Sequence, residues 1–233
     1  MKKITSTIIF LSMSMLAMAQ QNNQQTFEFS DFYTRISAGF SGMQIYSNVD
    51  ETKYDTDLFA PGGTVGLTYG RKLVEELDHK GATYMEIGAE LAYNTGANVT
   101  DYDAETRINI MSAIVPISIG YKKLLTPQNY CMLFYGGISP KVNMLANMQY
   151  QVKGYDQKIE KDLLSVDDMG EEYTAERFQF GLHIGIGFEF DNIYVHYKCH
   201  ADLMPFQSYD YLDKAVQTRA VSHTLCISYI LGK

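Results

Sequence analysis

The residues best suited to chemistry in this chain are three cysteines and a closely spaced pair of histidines. Cys199 and Cys226 lie on segments that the pattern described below predicts to be neighbouring strands, with side chains on opposite faces, so a disulfide between them would distort the sheet. His196 and His200 are four residues apart, which in a strand separates their side chains by about 14 Å, too far to chelate one ion. We therefore expect all three thiols, including Cys131, to be reduced, and we expect neither a metal site nor a cofactor.

A second candidate for chemistry is an acidic run in the second half of the chain. Asp167, Asp168, Glu171 and Glu172 form a candidate weak divalent-cation surface, because hard cations bind carboxylate oxygens. The alternative is that this run is simply solvated. No Ser/His/Asp nucleophile, paired-carboxylate or phosphate-loop motif stands out, so the sequence predicts a protein that is not an enzyme, although residues from separate loops could still converge.

The composition excludes several classes of protein. The chain has 233 residues and a formal net charge of −8, so it lacks the basic face that a nucleic-acid partner requires. A slightly negative mean hydropathy argues against a helical membrane protein. Apolar residues nevertheless make up 46% of the chain, with 18 Tyr and 12 Phe, which is too rich for a disordered protein. The small number of prolines suits long, regular strands.

The first residues have the features of an export signal. Lys2 and Lys3 give a positive start, an apolar stretch runs from Ile8 to Met18, and Ala17-Met18-Ala19 supplies a cleavage site before Gln20. The alternative is an uncleaved anchor. We predict a signal peptide over residues 1–19, a flexible periplasmic tail over residues 20–31 and a single folded domain over residues 32–233.

The clearest structural signal is a strict alternation over residues 178–190. Its apolar face consists of Phe178, Phe180, Leu182, Ile184, Ile186, Phe188 and Phe190. The other face carries glycine and polar residues, and this period of two predicts a strand. So many large apolar groups do not fit inside a small barrel, but they suit contact with lipid. Ten residue steps span about 33 Å, or about 25 Å of height at a tilt of about 40°, which matches the apolar band of an outer-membrane barrel.

Further segments repeat this alternation less cleanly, over residues 32–47, 60–74, 82–94, 106–124, 130–149, 192–206 and 220–231. The sequence therefore predicts an all-β fold, an eight-stranded antiparallel up-and-down transmembrane β-barrel over residues 32–233. Long connections over residues 48–58, 95–105, 150–175 and 207–219 alternate with short turns, which predicts that both termini are periplasmic. More than half of the 27 Asp and Glu residues lie in these long connections, so we expect an acidic outer rim.

Strand parity also predicts which polar residues face the interior. The inward set is Arg35, Glu86, Glu90, Lys141, Glu189, His196, Lys198 and His200. An eight-stranded barrel has room only for side chains, and the presence of both charge signs allows pairing that offsets the desolvation of each charge. We favour a polar plug that closes the barrel over a narrow proton or ion path. We expect the inward glycines to make room for Tyr135 or Tyr194.

With this plan and two motifs, the chain resembles the PorT-like outer-membrane β-barrel family over nearly all of its mature length. The motifs are residues 113–122 (AIVPISIGYK), similar to a family strand with an apolar-Pro-apolar centre, and residues 180–190 (FGLHIGIGFEF), similar to a Gly-alternating strand. The family is mostly uncharacterised, and its namesake is associated with protein secretion across the outer membrane. The chain departs from many outer-membrane barrels because it lacks a terminal aromatic residue, which leaves Tyr229 as the substitute insertion signal.

The leading prediction is a non-enzymatic protein of the bacterial outer membrane with a structural, adhesive or secretion-accessory role. We expect it to contact outer-membrane lipid, lipopolysaccharide and a protein partner in the envelope, and to bind no nucleic acid. One alternative is a soluble exported calyx that binds an apolar ligand, which requires the apolar face of residues 178–190 to point inward. Another is an outer-membrane enzyme that modifies lipid or cleaves protein.

Overall fold

The computed structural model describes residues 29–49, 52–77, 80–99, 104–126, 130–152, 158–170, 174–211 and 214–231. Its elements are β1 (Phe32–Val49), β2 (Thr52–Glu75), β3 (Gly81–Val99), β4 (Ala104–Ile114), β5 (Ile117–Thr126), β6 (Tyr130–Val152), β7 (Lys158–Asp162), α1 (Val166–Met169), β8 (Phe178–Phe190), β9 (Ile193–Asp202), β10 (Gln207–Tyr211) and β11 (Lys214–Leu231). Among the described residues, no helix is long and apolar enough to cross a membrane. The predicted signal peptide and most of the predicted tail lie outside these ranges.

All the strands belong to one antiparallel sheet that closes on itself. Around the ring the order is β1, β2, β3, β4 with β5, β6, β8, β9 and β11. β11 then pairs with β1 along most of its length, from Leu231 opposite Thr34 to Val216 opposite Val49. The ring therefore has eight strand positions. The predicted all-β, eight-stranded antiparallel barrel is confirmed.

The fourth position of the ring is built from two strands, whereas a single strand was predicted over residues 106–124. β4 ends and β5 begins on either side of Val115 and Pro116. Proline has no N–H and cannot donate to the ladder, which is why the strand breaks here. The neighbouring strands bridge the break, because Val115 N donates to Pro140 O at 2.9 Å and Gly88 N donates to Pro116 O at 2.9 Å. The wall is therefore continuous at this position.

Three of the four predicted long connections are largely strand. β1 and β2 leave only residues 50–51 between them, β3 and β4 leave residues 100–103, and the β10–β11 hairpin occupies most of residues 207–219. The prediction is wrong here because it relied on apolar alternation, which ends where the outer face of a strand becomes polar. The backbone ladder does not require that alternation and continues beyond it. The fourth connection, over residues 150–175, contains β7 and α1.

At the end of the barrel that carries these connections, two strands of the wall are exchanged for two others. β7 pairs with β6 over residues 147–151, beyond the part of β6 that pairs with β8. β10 pairs with β11 over residues 214–218, beyond the part of β11 that pairs with β9. β7 and β10 thus occupy, in this upper part of the ring, the positions that β8 and β9 hold in the lower part, nearer the short turns. No pairing joins β7 to β10 in the described part of the chain, and we call this gap the β7–β10 seam.

Apolar side chains face outward at every position of the ring. One exposed example from each position is Ile36, Leu67, Ile87, Ile119, Phe134, Ile184, Tyr197 and Ile227. On β8, the side chains of Phe178 and Ile184 are 70% and 69% exposed, so the apolar face of residues 178–190 points outward. This orientation contradicts the alternative of a soluble calyx, in which that face would line an interior ligand site.

The β8–β9 hairpin shows two local features that the sequence predicts. Its tight turn lies at Asp191 and Asn192, and Asp191 adopts a φ of 54°, a left-handed conformation that Asp tolerates better than most residues. A Cβ added at Gly185 would lie 2.2 Å from the ring of Tyr135, and one at Gly187 would lie 2.3 Å from the ring of Tyr194. The prediction that these inward glycines make room for the two tyrosines is confirmed.

Candidate functional site

The structure places every residue of the predicted inward polar set in the lumen. The exposed fraction is 9% or less for Arg35, Glu86, Lys141, Glu189, His196, Lys198 and His200. The side chain of Glu90 is 14% exposed. On the opposite face of β8, the predicted lipid-facing residues Phe178, Leu182, Ile184 and Phe188 are exposed, and Phe180, Ile186 and Phe190 are half-buried.

Two ion pairs lie around a small cavity in the middle of the lumen. Arg35 Nη2 lies 2.9 Å from Glu86 Oε2, and the other oxygen of Glu86 accepts a hydrogen bond from the hydroxyl of Tyr33. Lys198 Nζ forms an ion pair with Glu90 Oε2. Arg35 and Glu86 lie on β1 and β3, which are not neighbours in the ring. Lys198 and Glu90 lie on β9 and β3, which are on opposite sides of the ring. Both ion pairs therefore cross-link the barrel wall from within.

Two further ion pairs contain partners that were absent from the predicted set. Lys122 Nζ lies 2.6 Å from Glu189 Oε2, and Lys141 Nζ lies 2.6 Å from Asp202 Oδ2. Strand parity alone predicts that both residues face the lumen. Lys122 is on the same face of β5 as the buried Ser118, and Asp202 is on the same face of β9 as the buried His200. Across the described lumen four cationic side chains face four carboxylates. Removing one partner of such a buried pair typically costs about 3–5 kcal/mol.

His183 is a third buried feature of the lumen. Its Nε2 lies 2.7 Å from Ser118 Oγ and its Nδ1 lies 2.7 Å from Ser139 Oγ. These hydroxyls belong to β5 and β6, so the imidazole ties three strand positions together. A serine beside a histidine is also the start of a nucleophilic site, but Ser118 is buried, with only 5% of its surface exposed.

The two predicted lumen histidines of β9 have separate surroundings. His196 stacks on Tyr194 with a centroid distance of 5.0 Å and lines a cavity of about 20 Å³, which is room for about one water molecule. His200 Nε2 lies 3.7 Å from Asp202 Oδ1. Among the residues that the structure describes, no group of three or more His, Cys, Asp or Glu is placed to hold a metal ion.

Apolar layers cover this polar centre on both sides. At the end of the short turns, buried aromatic and aliphatic residues form one cluster: Phe29, Tyr33, Ala82, Tyr84, Cys131, Leu133, Tyr194 and Ile230. Phe29 lies in the predicted flexible tail, but it is only 4% exposed and packs into this cluster. The short-turn end of the lumen is therefore closed partly by the segment that enters the barrel.

At the other end, the lumen is closed by residues from two connections. Leu163, Leu164, Ala175 and Phe206 are buried against inward-facing residues of the wall, and we call these four residues the plug. Backbone hydrogen bonds hold the plug in place, from Leu163 N to Ala146 O at 2.8 Å and from Phe206 N to Thr218 O at 2.6 Å. With an apolar layer at each end, the described lumen has the organisation of a closed core. This organisation supports the interpretation that the polar side chains close the barrel, and it does not favour a proton or ion path.

The acidic run is only partly within the described residues. Asp167 and Asp168 lie on α1 and are exposed, whereas Glu171 and Glu172 lie outside the described ranges. The carboxylate of Asp168 accepts a hydrogen bond from Asp162 N at 3.0 Å, and its backbone oxygen accepts one from Lys161 Nζ at 2.7 Å. Asp168 therefore accepts a hydrogen bond from the backbone of the last residue of β7, on the edge of that strand beside the seam, and helps to hold α1 against β7.

The three cysteines are reduced, with no disulfide between them, and lie in different surroundings. Cys131 and Cys226 are buried on the inward face, whereas Cys199 is half-buried on the outward face. The register places Cys199 opposite His223, and His223 Nδ1 lies 2.5 Å from the hydroxyl of Tyr197. The opposite orientation of Cys199 and Cys226 agrees with the parity argument against a disulfide between them.

Comparisons with known proteins find similarity in solved structures. No protein-family model matches the chain, and no curated protein matches it. The chain is similar to the attachment invasion locus protein Ail of Yersinia pestis, whose structure is known in complex with a heparin analogue, at 12% identity and a TM-score of 0.38, covering 87% of this chain and 100% of Ail. It is similar to the outer membrane protein OprG of Pseudomonas aeruginosa at 10% identity and a TM-score of 0.49, covering 90% of this chain and 100% of OprG.

A third similar structure is the outer membrane enzyme PagL, at 12% identity and a TM-score of 0.39, covering 81% of this chain and 98% of PagL. At these identities the likeness concerns the arrangement of strands. The assignment of the fold rests on the strand pairing of this chain itself.

Proposed function

We propose that the protein is a non-enzymatic integral protein of the bacterial outer membrane that acts through the rim formed by its longer connections. The observation that carries this proposal is the inside-out distribution of side chains. Apolar residues are exposed on the outward face at all eight ring positions, while four ion pairs of Lys or Arg with Asp or Glu lie inside the lumen. In water, an apolar surface of this extent would drive association, whereas hydrocarbon solvates it without cost.

The dimensions of the wall support a membrane location. From Phe178 to Phe188 the outward face of β8 rises about 25 Å at a tilt of about 40°, which is the height of the apolar band of such barrels. β1 begins and β11 ends at the short-turn end of the ring. In bacterial barrels that end faces the periplasm, so we infer that both termini are periplasmic and that the plug, β7 and β10 lie on the outer side.

The closed lumen favours a structural, adhesive or secretion-accessory role over transport. Apolar side chains fill the lumen on both sides of the polar centre, so the rim rather than an interior path is the surface available to partners. The resemblance of residues 113–122 and 180–190 to PorT-like strands supports the secretion-accessory form of this role. The expected partners are outer-membrane lipid, lipopolysaccharide and a protein of the envelope.

The surroundings of the chemically capable side chains support the non-enzymatic part of the proposal. His183 with its two serines and the four ion pairs are buried between the two apolar layers, away from any substrate in the membrane or in solvent. Purified protein is expected to leave phospholipid, lipopolysaccharide and casein unchanged. Turnover of any of these by the wild type, lost on replacing a single rim or wall residue, would show that the protein is an enzyme.

Cell fractionation tests the membrane assignment. The expected result is recovery in the outer-membrane fraction after a high-salt and carbonate wash, with release only by detergent and a heat-dependent shift in electrophoretic mobility. Recovery in the periplasmic fraction without detergent would overturn the proposal. The closed lumen is tested separately in planar bilayers, where we expect no stable conductance, and a reproducible unitary conductance would show an open path.

A further inference from the structure

An open pocket lies on the outer surface of the wall, away from the lumen. It has a volume of about 220 Å³ and is lined by Glu105, Arg107, Gln149, Tyr150, Gln151 and Lys158. These residues come from β4, β6 and β7, where the register places Gln151 between Glu105 and Lys158. The polar network of the lumen does not involve them.

The pocket lies on the same face of the wall as the apolar band. On β4, Ile108, Ile110 and Ser112 are buried, so Arg107 and the alternate residues that follow it point outward. Going down the strand from Arg107, the outward residues are Asn109, Met111, Ala113 and Val115, and Val115 is exposed within the band. The outward face therefore changes from charged to apolar over a few residues, with the pocket on the charged side.

The pocket lies just above the headgroup layer of the outer leaflet. Met111 is the uppermost apolar residue on the outward face of β4. Arg107 lies four residues above it, which is about 13 Å along the strand and about 10 Å in height at a tilt of about 40°. The headgroup layer extends about 5–8 Å beyond the hydrocarbon on each side of a bilayer. The pocket thus begins a few ångströms beyond this layer, where the sugars of a glycolipid extend above its acyl chains.

The side chains of the pocket are suited to a phosphorylated sugar. Arg107 and Lys158 can donate charge-assisted hydrogen bonds to phosphate oxygens, and the amides of Gln149 and Gln151 can both donate to and accept from hydroxyl groups. Glu105 Oε1 lies 3.0 Å from Arg107 Nη2, which orients the guanidinium and leaves carboxylate oxygen able to accept from a hydroxyl. The mixture of both charges with neutral amides matches a sugar phosphate better than a simple anion.

The volume of the pocket limits what it can hold. At about 220 Å³ it is smaller than the roughly 300–1,000 Å³ of sites for drug-sized ligands. It can therefore take one headgroup unit, and the acyl chains of the same lipid would lie against the apolar band below.

We propose that this pocket binds the phosphorylated sugar headgroup of an outer-leaflet glycolipid. This inference rests on the proposed function, because only a barrel in the outer membrane has such a leaflet beside this part of its wall. It adds a position and a chemistry to the expected contact with lipopolysaccharide, and it makes Arg107 and Lys158 the two residues on which that contact depends most.

The experiment compares two double variants of the full chain purified in detergent. Arg107→Gln with Lys158→Gln removes both cations of the pocket. Arg71→Gln with Lys123→Gln is the control, because those side chains are also exposed and outward-facing but lie near the short-turn end. Bisphosphorylated lipid A is titrated into each protein and the bound lipid is counted by native mass spectrometry. We expect the pocket variant to bind at least about tenfold more weakly than the wild type, since two charge-assisted hydrogen bonds are lost, and the control to bind like the wild type.

Three further probes identify the ligand chemistry. Lipid A without phosphates and vesicles of phosphatidylglycerol are expected to bind much more weakly than bisphosphorylated lipid A, and inorganic phosphate is expected to compete poorly. Equal binding of lipid A by both double variants would overturn the inference, as would equal binding of phosphatidylglycerol or full competition by inorganic phosphate. Recovery of the protein from the periplasm would overturn the proposed function, whereas normal membrane insertion with unchanged lipid A binding would overturn this inference alone.

Discussion

The most direct physical test of the inside-out barrel is to place a charge at two depths on its outer face. Ile184 is the central residue of β8 and is 69% exposed, whereas Phe178 is the first residue of the same strand and is 70% exposed. Both side chains point outward from one strand and have the same exposure. They differ in height by about 15 Å, because six residues of a strand tilted by about 40° separate them. Only a bilayer distinguishes these two positions.

The expected cost follows from this depth. Arg at the midplane of an outer-membrane barrel destabilises by about 2–4 kcal/mol, and near the interface by about 0–1 kcal/mol. Ile184→Arg should therefore lower the folding equilibrium constant by about 30- to 1,000-fold relative to Ile184→Ala. Phe178→Arg should differ little from Phe178→Ala. If the same face met water, exposed substitutions at both positions would fall within about 0.5 kcal/mol of each other.

The assay is urea unfolding of the four variants folded into lipid vesicles, followed by tyrosine fluorescence and by the mobility of the folded form on gels. The Ala variants correct for the loss of each apolar side chain, so the difference between Arg and Ala reports the charge alone. A difference below about 1 kcal/mol at Ile184, or an equal difference at both positions, would refute the assignment of this face to lipid.

Other predictions concern the lumen and the thiols. Lys122→Met should destabilise the barrel by about 3–5 kcal/mol because Glu189 loses its buried cation, and Lys122→Met with Glu189→Leu should recover most of this loss in urea unfolding; no recovery would mean that the charges themselves are not the cause. Phe206→Ala should cost about 3–5 kcal/mol because it empties part of the plug, and a cost below about 1 kcal/mol would show that this residue is not packed as described. A lipid-soluble maleimide should label Cys199 before Cys131 or Cys226 in the folded protein, and mass spectrometry showing equal rates would contradict the inward orientation of the other two thiols.

The alternation of apolar and polar residues was sufficient to predict the lower part of the barrel. Residues 178–190 alternate without exception, so one face must be buried or in lipid, and the same parity assigns Arg35 and Glu86 to the lumen. The same parity also assigns Lys122 and Asp202 to the lumen, so both residues could have been predicted to face inward. The pairing of individual charges was not predictable, because it depends on the stagger of strands that are far apart in sequence.

The upper part of the structure could not be predicted by this reasoning. Above the apolar band both faces of a strand can be polar, so β7 and β10 have no alternation to reveal them. The plug residues Leu163 and Leu164 lie between acidic residues in a segment that the sequence assigns to an exposed loop. Their burial follows from the apolar inner wall near Met43 and Ile108, which becomes apparent only once the ring is closed.

The β7–β10 seam makes the barrel mechanically unequal along its axis. In the lower part, every strand is hydrogen-bonded on both sides, so a change of cross-section requires many backbone bonds to distort together. In the upper part, no pairing among the described residues joins β7 to β10. Resistance to bending there comes from side-chain packing of the plug and from hydrogen bonds such as that from Glu176 N to Phe206 O at 2.8 Å. In the orientation proposed above, lateral pressure in the outer leaflet would therefore deform the upper ring first, while the lower ring keeps its circular shape.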